Sequence, residues 1–146
     1  MAGLDRPSEG TVLIEILQAF QLFPLLTVLE NVCYPMEMNG VPAAQAKVRA
    51  KELLASVETV EEKHKRFSSH LSGGEQQRVA IARALASGAK ILPADEPTGN
   101  LDVDNGRCVM EILRRLAHED GYCVVVVCGA ISLVGRKPLD LLQVKE

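Results

Sequence analysis

The sequence predicts an α/β domain built around a parallel sheet, and three observations carry that prediction. Cys123 to Val127 is a continuous apolar run containing Val124, Val125, Val126 and Val127, the pattern of a strand covered on both faces. Lys90 to Asp95 reads as a second buried strand. Between them, about Asn105 to His118, Val109, Ile112, Leu113 and Leu116 recur at helical spacing. Strand, helix, strand is the order of a parallel unit.

The remaining elements follow from local pattern. Thr11 to Leu17 reads as a short strand, and a loop containing Pro24 comes after it. Thr27 to Met38 begins a helix that Pro35 should limit, because proline lacks the N–H that a helix interior uses. Gly40 and Pro42 punctuate the chain, and Pro42 suits the start of a helix over about Ala43 to Val57, with a stripe of Val48, Leu53, Leu54 and Val57. Glu58 to His70 is polar and charged and reads as a surface connection. Ser72 and Glu75 have the spacing of a capping box, opening a helix with Val79, Ile81, Ala82 and Leu85 inward. Gly88 stands where a helix end favours a left-handed residue. Pro93 is awkward in a buried strand, since it donates nothing to a ladder. Asp102 or Asp104 can cap the following helix, and Leu139 to Val144 reads as a last strand.

The 146 residues suit one domain, and 47% hydrophobic content is enough for a core. Aromatics make up only 3%, so Leu, Val, Ile and Ala must build it. A net charge of −3 argues against a nucleic-acid partner bound through a basic surface. Cys33, Cys108, Cys123 and Cys128 form no C-x-x-C pair, and His64, His70 and His118 do not cluster, which argues against a zinc site. The apolar stretch Thr11 to Leu29 is interrupted by Glu15, Gln18, Gln21 and Pro24, so no transmembrane helix is expected there. The polar start after Met1 does not read as a signal peptide.

Two places have the makings of a site. Ser72-Gly73-Gly74 lets a ligand approach the backbone, because glycine carries no side chain in the way. The amides of the helix start behind it are unpaired donors at the positive end of the helix dipole, suited to a terminal phosphate. Taken alone, those three residues read better as an ordinary capped helix after a glycine turn. Asp95 and Glu96 place two carboxylates at a strand end, where one can hold Mg²⁺ and the other can act on water.

Leu71-Ser72-Gly73-Gly74-Glu75-Gln76-Gln77-Arg78 with Ala80 to Leu85 resembles the signature motif of ABC ATPases. Ile91 to Glu96 resembles their Walker B strand, and Gly99-Asn100-Leu101-Asp102 their D-loop. Gln18, followed by Leu26 to Val32, resembles their Q-loop glutamine. The combination looks most like the ATPases of lipoprotein release, macrolide export and cell division.

The resemblance implies an incomplete P-loop NTPase (ABC ATPase) fold, with a parallel sheet core and a helical signature subdomain. The chain is then one partial nucleotide-binding domain, helical over about 27–88, with the Walker B region and the C-terminal part of the core over 89–146. The implied ligands are ATP and Mg²⁺. Ser72, Gly73, Gly74 and Glu75 would contact ATP held by a second, facing ABC ATPase domain. Asp95 and Gln18 would attend the metal, Glu96 would orient or deprotonate the attacking water, and Asp102 would cross the dimer interface. A transmembrane permease would be the other partner, holding the chain at the cytoplasmic face of the membrane.

The sequence departs from the family in four ways, of which Pro93 in the strand before Asp95 is one. The run G-x-x-x-x-G-K-[ST] occurs nowhere in the 146 residues. Ile14 and Gln18 stand closer together than in the family. Gly129 occupies the position of the family's switch histidine. Weak autonomous ATP binding and very slow hydrolysis are therefore expected. Two readings follow: an ABC-type ATPase impaired when alone, or a non-catalytic half that lends its signature to a complete partner.

Overall fold

The computed structural model describes residues 22–128 and 130–134, with side chains over 22–126. The strands expected at 11–17 and 139–144, the candidate Gln18 and position 129 lie outside the described residues.

Helix α1 spans Val28–Met38 and opens on a capping box, in which Thr27 Oγ1 accepts from Glu30 N and Glu30 Oε2 accepts from Thr27 N at 2.8 Å. It runs through Pro35, contrary to the expectation that this proline limits it. Pro35 forfeits a bond only near the C-terminal end. There the helix closes on a Schellman arrangement, with Gly40 N donating to Glu37 O and Val41 N to Met36 O, each at 3.0 Å. Gly40 sits at φ 83, a conformation that suits glycine.

Helix α2 spans Ala43–Ser56. Its buried face is Ala46, Ala50, Leu53 and Leu54, continued by Val57, and Val48 is 62% exposed. The alanines keep the 3.6-residue phase with Leu53 and Leu54, which turns Val48 outward although it is apolar.

The stretch after α2 is less of a surface connection than its charges suggest. It makes two 3₁₀ turns, Glu61–Lys63 and Ser68–His70, and buries Thr59, His64 and Ser68. Its backbone is bonded along the start of α1, with Val28 N donating to Arg66 O, Leu29 N to His64 O and Ser68 N to Leu26 O. Fully buried Asn31 ties down the preceding loop: its Oδ1 accepts from Phe23 N at 2.8 Å, and its Nδ2 faces the carbonyls of Phe23, Leu26 and Thr27.

Helix α3 spans Gly73–Ala86 and buries Val79, Ile81, Ala82 and Leu85, as its pattern requires. Gly88 beyond it takes φ 81. Strand β1 spans Ile91–Asp95, helix α4 Val103–His118 and strand β2 Cys123–Cys128. Asp102 rather than Asp104 caps α4, which starts two residues earlier than its apolar pattern. The strands β1 and β2 pair in parallel, Leu92 opposite Val124 and Ala94 opposite Val126. Among the described residues β1 is an edge, where Pro93 is best tolerated.

The sequence did not signal strand β3, Ala130–Val134, which pairs antiparallel to β2. With one residue between the strands there is no crossover, and the chain can only fold straight back. The parallel pair is thus the core of a mixed sheet.

One cluster runs through all these layers. Leu54, Ile81, Leu92, Ile112, Leu116 and Val124 are fully enclosed in it. Helix α3 is the common neighbour, packed on α1 and α2 on one side and α4 on the other. Ile112→Ala is expected to destabilise the fold by about 2–5 kcal/mol, and Val48→Ala to change it by less than about 0.5 kcal/mol. Denaturant unfolding of the two variants checks both.

Candidate functional site

The N-terminus of α3 forms one wall of the site. Ser72 N donates to Glu75 Oε2 at 3.0 Å, and Glu75 N donates to Ser72 Oγ at 3.4 Å. This box satisfies two donors of the helix start. The N–H groups of Gly73 and Gly74 have no partner among the described residues. Both lie at the positive end of the dipole next to the exposed Ser72, Gly73 exposed and Gly74 buried.

Glu75 is held from a second direction by an ion pair from Lys63 Nζ to its Oε1. The Lys63 and Glu75 side chains are 29% and 18% exposed, so the pair is only partly screened by water. The Lys63 bond, assisted by the Ser72 N–H, keeps the Glu75 carboxyl below the usual carboxylate range against the opposing effect of burial.

The other wall is the end of β1 and the turn beyond it. Asp95 and Glu96 are both exposed. Glu96 has φ 42, a left-handed backbone that a non-glycine residue holds at a cost of about 1–3 kcal/mol. Gly99 N donates to Glu96 O at 3.0 Å and Leu101 N to Thr98 O at 3.1 Å, so two turns fold the chain back. The Glu96 side chain lies over Gly99, where an added Cβ would stand 3.3 Å from Oε2.

The two walls meet through glycine. A Cβ on Gly73 would stand 3.2 Å from Leu101 Cδ2, and one on Gly74 2.5 Å from Asn105 Oδ1. Asn105 cannot easily yield, because its backbone N donates to Asp102 Oδ1 at 2.9 Å and its Nδ2 to Asp102 Oδ2 at 2.6 Å. These bonds, the backbone one foremost, also hold the Asp102 carboxyl below its ordinary range. Gly73, Gln76, Gln77, Asp95, Glu96 and Asn100 line an open cleft of about 380 Å³ between the walls. Gln77 is buried, and its Nε2 has no partner among the described residues. A larger hollow of about 540 Å³, at the opposite end of α3 between Tyr34, Met38, Arg83 and Lys90, is lined by no carboxylate.

The structure therefore gathers Gly73, Asp95 and Glu96 around one cleft. Ser72, Gly74 and Glu75 build the helix start beside it, and Asp102 supports Gly74 through Asn105. Sequence reasoning did not single out Lys63, Gln77 or Asn105. The three-residue step from Asp102 to Asn105 was a usable capping signal, whereas Lys63 was indistinguishable within a charged run.

The residues present fit a nucleotide phosphate with Mg²⁺. The unpaired amides of the helix start suit phosphate oxygens. Asp95 and Glu96 are hard oxygen donors, and Mg²⁺ is commonly held by one or two carboxylates together with phosphates. No group of three or more His, Cys, Asp or Glu side chains among the described residues forms a cage for a metal alone. No helix among the described residues is long and apolar enough to cross a membrane.

A capped helix start with unpaired amides, an acidic strand end beside it and a parallel strand pair are parts that a phosphate-handling nucleotide cassette would use. Residues 5–99 match the family model described as ABC transporter. The chain is 45% identical over 153 residues to an ABC transporter ATP-binding protein of Thermotoga maritima, covering 90% of this chain and 64% of the relative. It is 39% identical to the lipoprotein-releasing system ATP-binding protein LolD of a Shewanella species, covering 97% of this chain and 70% of that one. Among solved structures, the dimeric post-hydrolysis state of the ATP-binding cassette MJ0796, bound to ADP and Pi, superposes with a TM-score of 0.65 at 45% identity, over 75% of this chain and 49% of that one. The chain belongs to the ABC transporter family of ATP-binding domains. It spans 64% of the length of the Thermotoga relative.

Gly74→Ala is expected to destabilise the fold by about 1–3 kcal/mol through overpacking. Adding Asn105→Ala should recover part of that loss, which thermal unfolding of the single and double variants measures. The depressed carboxyls of Glu75 and Asp102 also set a pH dependence. A folded pKa below the unfolded value stabilises above the unfolded pKa, about 4, and the stabilisation fades as pH falls through the folded pKa. The melting temperature should therefore fall on acidification below about pH 4, with a shallower slope in Glu75→Gln.

Proposed function

We propose that the chain works as an ATP-binding cassette of an ABC transporter, and that its own contribution is the half-site reading the terminal phosphate of ATP on a facing cassette. The observation that supports this is the pair of N–H groups on Gly73 and Gly74 without a partner among the described residues, next to the exposed Ser72, with Gly73 itself lining the cleft that Asp95 and Glu96 line. Residues 27–88 would be the helical part that presents α3, and 89–146 the part that carries the acids. The dimeric MJ0796 cassette bound to ADP and Pi supports a two-cassette arrangement. The likeness to LolD supports a membrane permease as the further partner, with this chain peripheral at the cytoplasmic face.

In this reading Ser72, Gly73 and Gly74 bind and orient the phosphate by hydrogen bonds that strengthen as charge develops on it. Asp95, with Gln18 as a further contact, and Glu96 would serve the nucleotide held by this chain itself, not the one that Ser72, Gly73 and Gly74 face; there Asp95 would hold Mg²⁺. Bound Mg²⁺ supplies neutralisation of the phosphate charge. Glu96 orients the attacking water and accepts its proton, with the carboxylate aimed by the left-handed turn and by Gly99. Asp102 caps α4 and thereby holds the turn that would face the partner.

A second reading is favoured by Gly129 standing where the family places its histidine. The chain then lends its signature to a complete cassette without hydrolysing ATP itself. Both readings predict that the chain co-purifies with a complete cassette and raises its ATPase rate, and that Ser72→Arg lowers this stimulation by about tenfold or more. Glu96→Gln separates them: it removes a share of turnover if this chain hydrolyses ATP, and leaves the stimulation intact if it does not. Unchanged partner turnover on adding the chain would rule out both.

A further inference from the structure

The helix start that would receive phosphate contains its own anion. Glu75 lies in the first turn of α3, and its Oε2 is committed to Ser72 N–H. A carboxylate there completes the capping box, but it also consumes the positive end of the dipole and repels an incoming phosphate. The structure places one cation against it. Lys63, twelve residues upstream in the first 3₁₀ turn, binds Glu75 Oε1, the oxygen that Ser72 N–H does not use. The neighbouring Glu61 is already paired with Lys51 at 2.9 Å, so Lys63 is committed to Glu75. The partial burial of both partners keeps water from screening the pair away.

We propose that Lys63 is a positioning residue for the phosphate-facing half-site, neutralising Glu75 so that the Gly73 and Gly74 amides keep their attraction for an anion while Glu75 keeps its capping bond. This rests on the reading of those amides as a phosphate receptor. Lys63 touches no phosphate itself and acts through Glu75. The arrangement separates two demands on one residue: shape from the Glu75 carboxylate, and charge balance from a lysine outside the motif.

The test is a titration of the ¹⁵N-labelled chain with inorganic triphosphate at low salt, followed through the backbone amide signals of Gly73 and Gly74. The wild-type signals should shift. Lys63→Met should weaken the apparent affinity by about two- to fivefold, the size of a charge effect at a helix end. Lys63→Arg should retain it. Lys63→Met combined with Glu75→Gln should recover it, because the amide oxygen can still accept from Ser72 N–H and the repelling charge is gone. The difference between wild type and Lys63→Met should shrink in about 1 M salt. A merely structural ion pair predicts no recovery in the double variant and no salt dependence. If the wild type shifts and Lys63→Met binds equally well, or the double variant stays weak, the role of Lys63 is overturned alone. If the wild-type amides do not shift, the phosphate-receptor reading falls with it.

Discussion

The close approach of Gly74 to Asn105 is the constraint on which the arrangement depends. Helix α3 belongs by packing to α1 and α2, whereas the acids sit on the turn between β1 and α4. At the site, α3 and this turn approach closely where Gly73 and Gly74 meet Leu101 and Asn105. The contact is made of backbone on one side and a side chain pinned by Asp102 on the other. A methyl group at position 74 has no place to go, so the spacing between the open amides and the carboxylates is set by atoms that cannot readily shift.

The site is built from features that are individually unfavourable. Among the described residues two N–H groups go without partners and Gln77 buries a donor that finds none, and Glu96 holds a left-handed backbone. Unsatisfied donors and strained turns persist in a fold only when the surroundings enforce them. Here the surroundings are a continuous aliphatic core through α3 and α4, a capping box at each of the α1 and α3 starts, and the Lys63–Glu75 pair. The unpaired amide of the exposed Gly73 can bond to a phosphate oxygen without breaking a bond first.

Much of this was legible beforehand because it depends on short-range rules. The spacing of Ser72 and Glu75 specifies a capping box, and the box is there. Val109, Ile112, Leu113 and Leu116 share a face because a helix has 3.6 residues per turn, and all four are buried. Other features depended on neighbours distant in sequence. Val48 is as apolar as Leu53 but lies out of phase with Ala46 and Ala50. Pro35 ends nothing because Gly40 and Val41 close the helix beyond it. Charge alone placed 58–70 on the surface, yet its backbone is bonded to the start of α1 and it buries His64.

The sequence by itself determined most of the helices, the parallel strand pair, the α3 cap and the family. It did so through residues whose spacing has one local consequence: Ser72 with Glu75, the valine run after Cys123, and the acid pair closing β1. The tertiary structure alone decided which of these groups share a cleft, that Asn105 and Leu101 demand glycine at 74 and 73, and that Lys63 is the counterion of Glu75. Such pairings depend on the path of the chain through space, and no local pattern encodes the distance between residues that meet only after the helices have packed.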